Sequence, residues 1–323
     1  MQIFSKDKTY GFMKLSPVTL AISIILLLGS FTLMFTKGLN YGIDFSGGTL
    51  IQVQYDKPIA LDTIREAISK SELFKDATVT HFGSSEEVVI RFLSSTASLE
   101  ANLESSITQT LKDTGSFEIR RVDMVGPKVG DELRIKGLTA LLISIGAILI
   151  YIAYRFEWRF AVSSVLALTH DIIIVIGAII LFNIDVNLDI LAALLTILGY
   201  SLNDTIIIFD RVRESTHEAK EYNLNEVIDY SVSRTLSRTT LTSLTTLFVV
   251  ATLFFFGGEI IKGFSFTLLV GIIIGTYSSI FIASPLLSRF GFNIRTYREK
   301  EIAKQKRKLE KEKLRAQFEK GIV

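Results

Sequence analysis

The sequence predicts a polytopic α-helical membrane protein with six transmembrane helices and an α+β domain inserted between the first two. The 323-residue chain is 49% hydrophobic with a mean hydropathy of +0.41, yet it carries 35 basic and 33 acidic residues. Its apolar residues must therefore be gathered in blocks. Six blocks reach the roughly 20 residues that cross about 30 Å of hydrocarbon. A long segment of mixed composition separates the first block from the second.

The apolar blocks define six spans of comparable length. The first is longer than the core of a signal peptide and no small-residue cleavage site follows it, so we interpret it as a retained span. The last repeats small residues at four-residue spacing, which indicates close packing against another helix; these are Thr267, Gly271, Gly275 and Ser279. The six spans cover residues 17–35, 137–154, 160–182, 188–209, 238–257 and 263–288.

Lysine and arginine gather at one end of the spans, which predicts that this end is cytoplasmic. The opposite connections, 183–187 and 258–262, carry a single lysine between them. Both chain termini are therefore expected in the cytoplasm and the inserted domain in the periplasm. The basic residues are Lys6, Lys8, Lys14, Arg155, Arg159, Arg211, Arg213, Lys220, Arg234 and those of the tail from Arg289. The predicted divisions are the N-terminus 1–16, the first helix 17–35, the periplasmic domain 36–133, helices two to six in 134–290, and a charged tail 291–323.

The inserted segment alternates strand and helix patterns in the order βαββαβ. Apolar and β-branched runs predict strands over 49–55, 77–82, 88–92 and 117–125, and helical periodicity predicts helices over 61–73 and 98–111. This order predicts a ferredoxin-like fold.

Ionisable residues inside the apolar spans are the strongest functional signal. A charge at the bilayer centre costs about 2.5 to 3.5 kcal/mol, so each one needs a reason. Asp171, next to His170, lies in the third span, Asp204 in the fourth, and Arg238 at the start of the fifth. Asp204 and Arg238 are expected at similar depth on consecutive spans, where they could pair. The alternative is that these charges only hold the bundle together.

Polar neighbours at helical spacing extend both sites. Tyr200 and Ser201 lie one turn before Asp204, and Arg238 shares its spacing with three further polar residues. Both faces are expected to turn inward, away from lipid. The three residues near Arg238 are Arg234, Thr242 and Thr245.

Several functions are excluded by what the sequence lacks. There are no cysteines, and the three histidines lie in separate segments without metal-ligand spacing, so we expect no metal site. The glycine-rich stretch 40–49 has no G-K-[ST], so we expect no nucleotide. Asp44, Gly47 and Gly48 in it instead predict a tight, specifically shaped passage into the inserted domain. We also expect no cofactor, no enzymatic activity, and, at a net charge of only +2, no nucleic-acid partner.

The tail is rich in charges of both signs. Acidic and basic residues interleave at helical spacing over 295–320, which predicts a solvated helix or a frayed tail. A contact with anionic lipid, a ribosome or a partner protein is the alternative.

Six motifs in order resemble the SecF proteins of the SecD/SecF family of bacterial protein export. The resemblance covers about residues 10 to 290. Asn203-Asp204-Thr205, followed by Phe-Asp-Arg, favours SecF over SecD, whose motif resembles Asp-Ala-Asn followed by Phe-Glu-Arg. The motifs are GIDFSGGT at 42–49, HD at 170–171, GYSLNDT at 199–205, FDRVRE at 209–214, RTLSRT at 234–239 and GGEIIKGFS at 257–265.

The resemblance implies half of an RND-like bundle that SecD completes. It implies that the pair uses the proton motive force to promote late steps of preprotein translocation through SecYEG, with YajC and YidC as further candidate partners. The family's proton-coupling aspartate and arginine match Asp204 and Arg238. The alternatives are an RND-like exporter of lipids or small molecules, and a passive scaffold of the translocon. The supporting polar residues inside the membrane are Asp171, His170, Asn203, Ser201 and Thr242.

Overall fold

The computed structural model of the chain describes residues 8–71, 74, 77–92, 103–218 and 223–319. The first long helix, α1, is followed by a short helix α2 and by the inserted domain. Five long helices come next, and a last helix forms the tail. The first part of the chain contains α1 (Phe12–Thr36), α2 (Ile43–Ser46), β1 (Gly48–Tyr55), α3 (Leu61–Ser69), β2 (Thr78–Phe82), β3 (Ser84–Phe92), α4 (Leu103–Leu111) and β4 (Phe117–Val125).

The second part of the chain is helical. A π-helix, Ser279–Ala283, interrupts the last spanning helix without ending it. The tail helix follows this span after a short turn. The elements are α5 (Pro127–Arg155), α6 (Trp158–Leu181), α7 (Leu188–Glu218), α8 (Leu224–Phe256), α9 (Glu259–Ser278), α10 (Ser284–Arg289) and α11 (Ile294–Glu319).

The six predicted spans are confirmed as six helices that are long and apolar enough to cross a membrane. They are longer than the apolar blocks that predicted them. For example, α8 begins at Leu224, well before the predicted span at 238, because Asn223 accepts a hydrogen bond from the Asn225 N–H at 3.2 Å and caps the helix there. The span prediction counts apolar residues, whereas a helix continues through polar residues until a capping residue or turn ends it.

The centre of the bundle is formed by α6, α7 and the run α9–α10, and α1, α5 and α8 lie around it. The glycine stripe in the last span packs closely, as predicted: Gly271 lies against Ile197 of α7, and a Cβ at Gly275 would lie 2.9 Å from the Ser201 Cβ. At one end Phe160 contacts the rings of Phe209 and Phe292 with centroids 5.0 Å apart. Much of the apolar surface of α1, α5 and α8 is exposed.

The inserted domain has the predicted ferredoxin-like topology. Its sheet has the strand order β2-β3-β1-β4, and every neighbouring pair is antiparallel. Ile51 of β1, Ile90 of β3, Ile64 of α3 and Ile107 of α4 are fully buried together. The predicted residues 72–73 and 98–102 of the two helices lie outside the described residues.

The tail is a helix whose base is attached to the bundle. Ile294 and Tyr297 are buried there, Arg298 donates to the Thr216 carbonyl, and Lys300 lies 3.6 Å from Glu157. Burial raises the pKa of Tyr297 to about 12. Beyond this base the described side chains are mostly exposed.

Candidate functional site

Two buried carboxylates lie in the middle of the bundle, on neighbouring helices. Asp171 of α6 is 1% exposed and Asp204 of α7 is 2% exposed. Ionised carboxylates are almost never fully buried unless they are paired. The hydrogen-bond partners of these two residues therefore determine what each one can do.

Asp171 is the better satisfied of the two. Its Oδ2 accepts hydrogen bonds from the Ser201 Oγ at 2.6 Å and the Ser278 Oγ at 2.7 Å, and its Oδ1 lies 2.9 Å from the His170 Nδ1. These residues come from α6, α7 and α9. Asp171 therefore joins the three central helices at one point.

His170 extends this cluster toward α1. Its Nε2 is buried and has no hydrogen-bond partner among the residues that the structure describes. Its ring stacks on Tyr277, with centroids 6.5 Å apart. The Tyr277 hydroxyl donates to the Thr19 carbonyl at 2.6 Å and lies 3.1 Å from the Ser23 Oγ. The polar contacts therefore run from the core to α1.

Asp204 accepts fewer and longer hydrogen bonds than Asp171. The Ser243 Oγ of α8 donates to its Oδ2 at 3.4 Å, which is long for an O–H···O hydrogen bond. The Thr276 Oγ1 of α9 donates in turn to the Ser243 Oγ at 2.8 Å. Asp204 is thus connected through hydroxyls to two other helices, and it holds far fewer donors than Asp171.

The direct ion pair expected between Asp204 and Arg238 is absent. Both residues are described, and no ion pair joins them. The Arg238 side chain lies on the exposed surface of α8, close enough for its charge to act on Asp204. The reason is the rotation of α8, since Thr239 and Ser243, one and five positions further on, are the residues that turn inward.

The face of α8 that turns inward therefore lies one position further along the helix than predicted. Arg234, Arg238 and Thr245 are exposed, and Thr242 is half-buried with its hydroxyl donating to the Arg238 carbonyl at 3.0 Å. A neighbouring stripe of hydroxyl residues faces the core instead, and sequence reasoning missed it. Its four-residue spacing was a usable signal; the residues are Ser231, Thr235, Thr239 and Ser243.

The remaining predicted residues of α7 divide between core and surface. Ser201 is buried and bonds Asp171, as described above. Asn203 is exposed. The Tyr200 hydroxyl is buried and finds no partner within the described part of the chain.

The glycine-rich motif lies at the entrance to the inserted domain. Gly47 has φ +71° and Gly48 has φ +118°, in the region that favours glycine. A Cβ at Gly47 would lie 2.7 Å from the Pro127 Cα, so α5 begins directly against this turn. The Asp44 Oδ2 accepts a hydrogen bond from the Leu188 N–H at 2.9 Å. The motif therefore contacts the starts of two spanning helices.

No group of His, Cys, Asp or Glu able to hold a metal ion occurs within the described ranges. Asp171 and Asp204 are held by serine hydroxyls and, for Asp171, a histidine. Such a set can bind and release protons.

Comparison with known proteins identifies the family. Residues 105–293 match the family described as "Protein export membrane protein SecD/SecF, C-terminal", and residues 32–59 match the "SecD/SecF GG Motif". The chain is 46% identical to the protein translocase subunit SecF of Helicobacter pylori over the full length of both. The chain belongs to the SecF family. It is also 48% identical to the SecF of Vibrio alginolyticus, over 90% of this chain and 92% of that one.

A solved structure supports the same assignment. The crystal structure of SecDF from Thermus, described as a translocon-associated membrane protein, superposes with a TM-score of 0.81 at 34% identity. The match covers 89% of this chain but 39% of that longer one. The resemblance to SecF is thus confirmed, together with a role in protein export and a multi-pass place in the bacterial inner membrane.

Proposed function

We propose that this SecF chain acts with SecD to couple the proton motive force to late steps of preprotein translocation through SecYEG. The observation that supports this most is Asp204, a buried carboxylate inside a spanning helix with one long hydrogen bond and no ion pair among the described residues. A charge held there is costly. Binding a proton removes that charge, so the bundle should respond to the protonation of this residue.

The coupling step that we propose is a rearrangement of α7, α8 and α9. Charged Asp204 attracts Arg238 and accepts from Ser243, whereas protonated Asp204 loses the attraction and becomes a donor itself. Each elementary charge that crosses the membrane contributes about 2.3 kcal/mol per 100 mV. The movement of a few protons is therefore enough to shift the equilibrium between two packing arrangements of these helices. His170 and Asp171 support the site by fixing α6, α7 and α9 relative to one another.

The proposed arrangement places both termini in the cytoplasm and the inserted domain in the periplasm, where it would act on the emerging, unfolded preprotein. The lysine and arginine distribution supports this orientation. The exposed apolar faces of α1, α5 and α8 offer a surface to SecD, which would complete an RND-like bundle. YajC and YidC are further candidate partners. Nothing in this mechanism requires an enzymatic step or a cofactor.

The test is export in vesicles that contain this chain, SecD and SecYEG, measured with and without a protonophore. We expect the protonophore to remove the stimulation that depends on this chain. A passive scaffold would give the same stimulation with the gradient collapsed. An exporter of small molecules would show proton flux that rises with a lipid or drug and not with a preprotein. Either result would contradict the proposal.

Arg238 is expected to act through its charge. Because Arg238 and Asp204 form no bidentate pair, Arg238→Lys should lose only part of the gradient-dependent export, whereas Arg238→Gln should lose most of it. Arg234→Gln is the matched control, since it removes an exposed arginine one turn earlier on the same helix and should behave like wild type. Equal loss in Arg238→Lys and Arg238→Gln would show that guanidinium geometry matters and charge alone does not suffice.

A further inference from the structure

The segment that leads from α1 into the inserted domain is joined to the connection before α7. We call residues Asn40–Gly48 the junction segment. The Val186 N–H donates to the Asn40 carbonyl at 2.7 Å, and the Gly42 N–H donates to the Val186 carbonyl at 2.8 Å. This forms a short parallel bridge between Tyr41 and Val186. The junction segment and the α6–α7 connection are therefore one unit.

Asp44 completes this unit by capping α7. Its Oδ2 accepts from the N–H of Leu188, the first residue of the helix, at 2.9 Å. The first N–H groups of a helix have no partner within it, and a negative charge there is favourable. Asn187 satisfies a second of these groups, since its Oδ1 accepts from the Ile190 N–H at 3.0 Å. A residue far away in sequence thus holds the start of α7.

The junction segment also packs closely against α5. A Cβ at Gly130 of α5 would lie 2.8 Å from the Gly47 nitrogen and 3.2 Å from the Phe45 carbonyl oxygen, so the two backbones are in close contact. The Arg134 guanidinium lies over the Tyr41 ring, 4.7 Å from its centroid. The segment is therefore packed between α5 and the start of α7.

The inserted domain touches the same connection a second time. Arg91 of β3 forms an ion pair of 2.5 Å with Asp185, three residues before Leu188. β1, which starts at Gly48, pairs with β3 along its length. The sheet is thus attached to the start of α7 through two of its strands.

We infer that Asp44 is a positioning residue that links α7, the helix carrying Asp204, to the sheet of the inserted domain. Asp204 lies 16 positions after Leu188, which is about 24 Å along a helix. A helix moves as a stiff rod over this length, so a shift at Asp204 moves its capped start. The Asp44 hydrogen bond then transfers the shift to β1. This inference rests on the proposed proton coupling and specifies how it reaches the domain.

The test compares Asp44→Ala and Asp44→Asn with Asp189→Asn in the purified complex with SecD in nanodiscs. Asp189 is an exposed carboxylate in the first turn of α7. Asp189→Asn therefore removes a negative charge near the start of that helix and leaves the Asp44 hydrogen bond to Leu188 in place. Amide hydrogen exchange reports the cap at Leu188. Paired spin labels on the inserted domain and the bundle report domain movement between acidic and neutral pH. The carboxylic C=O stretch in infrared difference spectra, assigned with Asp204→Asn, reports protonation of Asp204.

We expect Asp44→Ala to speed exchange at the start of α7 about five-fold, the change typical for loss of one helix cap. Protonation of Asp204 should persist while the pH-dependent change in label distance becomes smaller than in wild type, because the backbone bridge at Val186 and the Arg91–Asp185 ion pair remain. Asp44→Asn keeps an acceptor oxygen of the same shape and should retain most of both properties, and Asp189→Asn should match wild type.

Three outcomes would overturn the inference. They are unchanged exchange at Leu188 in Asp44→Ala, a label distance that responds to pH in that variant as fully as in wild type, and a wild-type label distance that never responds. Failure of the proton coupling itself would look different. In that case the infrared signal assigned to Asp204 would be missing from the wild-type complex, whatever residue stands at position 44.

Discussion

Asp204→Asn is expected to reduce export to the level seen with the proton gradient collapsed, with no loss of folded protein. Asparagine has the shape of aspartate and can still accept from Ser243, so the packing of α7 against α8 is kept. It cannot bind and release a proton, and it removes the charge that attracts Arg238. The helices therefore remain in the arrangement of the neutral site.

The measurement is gradient-dependent export in vesicles, with the amount of chain and its copurification with SecD checked in parallel. Asp210→Asn is the matched control, since Asp210 lies on the same helix in a half-exposed ion pair of 2.9 Å with Arg155. It should export like wild type. Full gradient dependence in Asp204→Asn would remove Asp204 from the coupling step.

Gly47→Ala should strongly destabilise the junction between the inserted domain and the bundle. The residue has φ +71°, and its Cβ would lie 2.7 Å from the Pro127 Cα. With ψ 173° this backbone conformation is nearly confined to glycine and costs another residue about 1 to 3 kcal/mol, and overpacking against backbone costs about 1 to 3 kcal/mol more. We expect a loss of roughly 3 kcal/mol in the free energy of unfolding of the inserted domain or its junction.

Thermal unfolding in detergent and protease protection of the inserted domain measure this effect. Gly126→Ala is the control, because that residue precedes Pro127, has φ −65°, and has no atom within 4 Å of the place that an alanine Cβ would take. It should change the unfolding temperature little. Equal stability of the two variants would show that α5 can move away from the turn at Gly47.

Sequence patterns predicted the scaffold because each pattern reports a local property. Apolar runs of span length predicted six helices, and strand alternation predicted the βαββαβ order. The side of α8 that faces Asp204 was not predictable in this way. Two polar stripes, one through Arg238 and one through Ser243, are a single position apart on that helix, and spacing alone does not say which one turns inward.

The hydrogen-bond partners of Asp171 were not predictable either. Its donors Ser201 and Ser278 come from helices that lie 30 and 107 positions away along the chain. Ser201 was predicted only as a neighbour of Asp204, and nothing in the sequence indicated that it or Ser278 would bond to Asp171. The Asp44 contact with Leu188 is equally remote at 144 positions. Such contacts depend on helix packing, which single-sequence periodicity does not contain.

The π-helix at Ser279–Ala283 places an extra residue within the last span. It follows Ser278, the donor to Asp171, and precedes the stretch anchored by Phe292. A π-helical turn holds about one residue more than an α-helical turn, so its conversion to an α-helix would shift the preceding stretch by about 1.5 Å relative to the stretch beyond. Such a conversion would move Ser278 relative to Asp171, and Thr276 relative to Ser243 and Asp204, while the end of the helix beyond Ala283 stays in place.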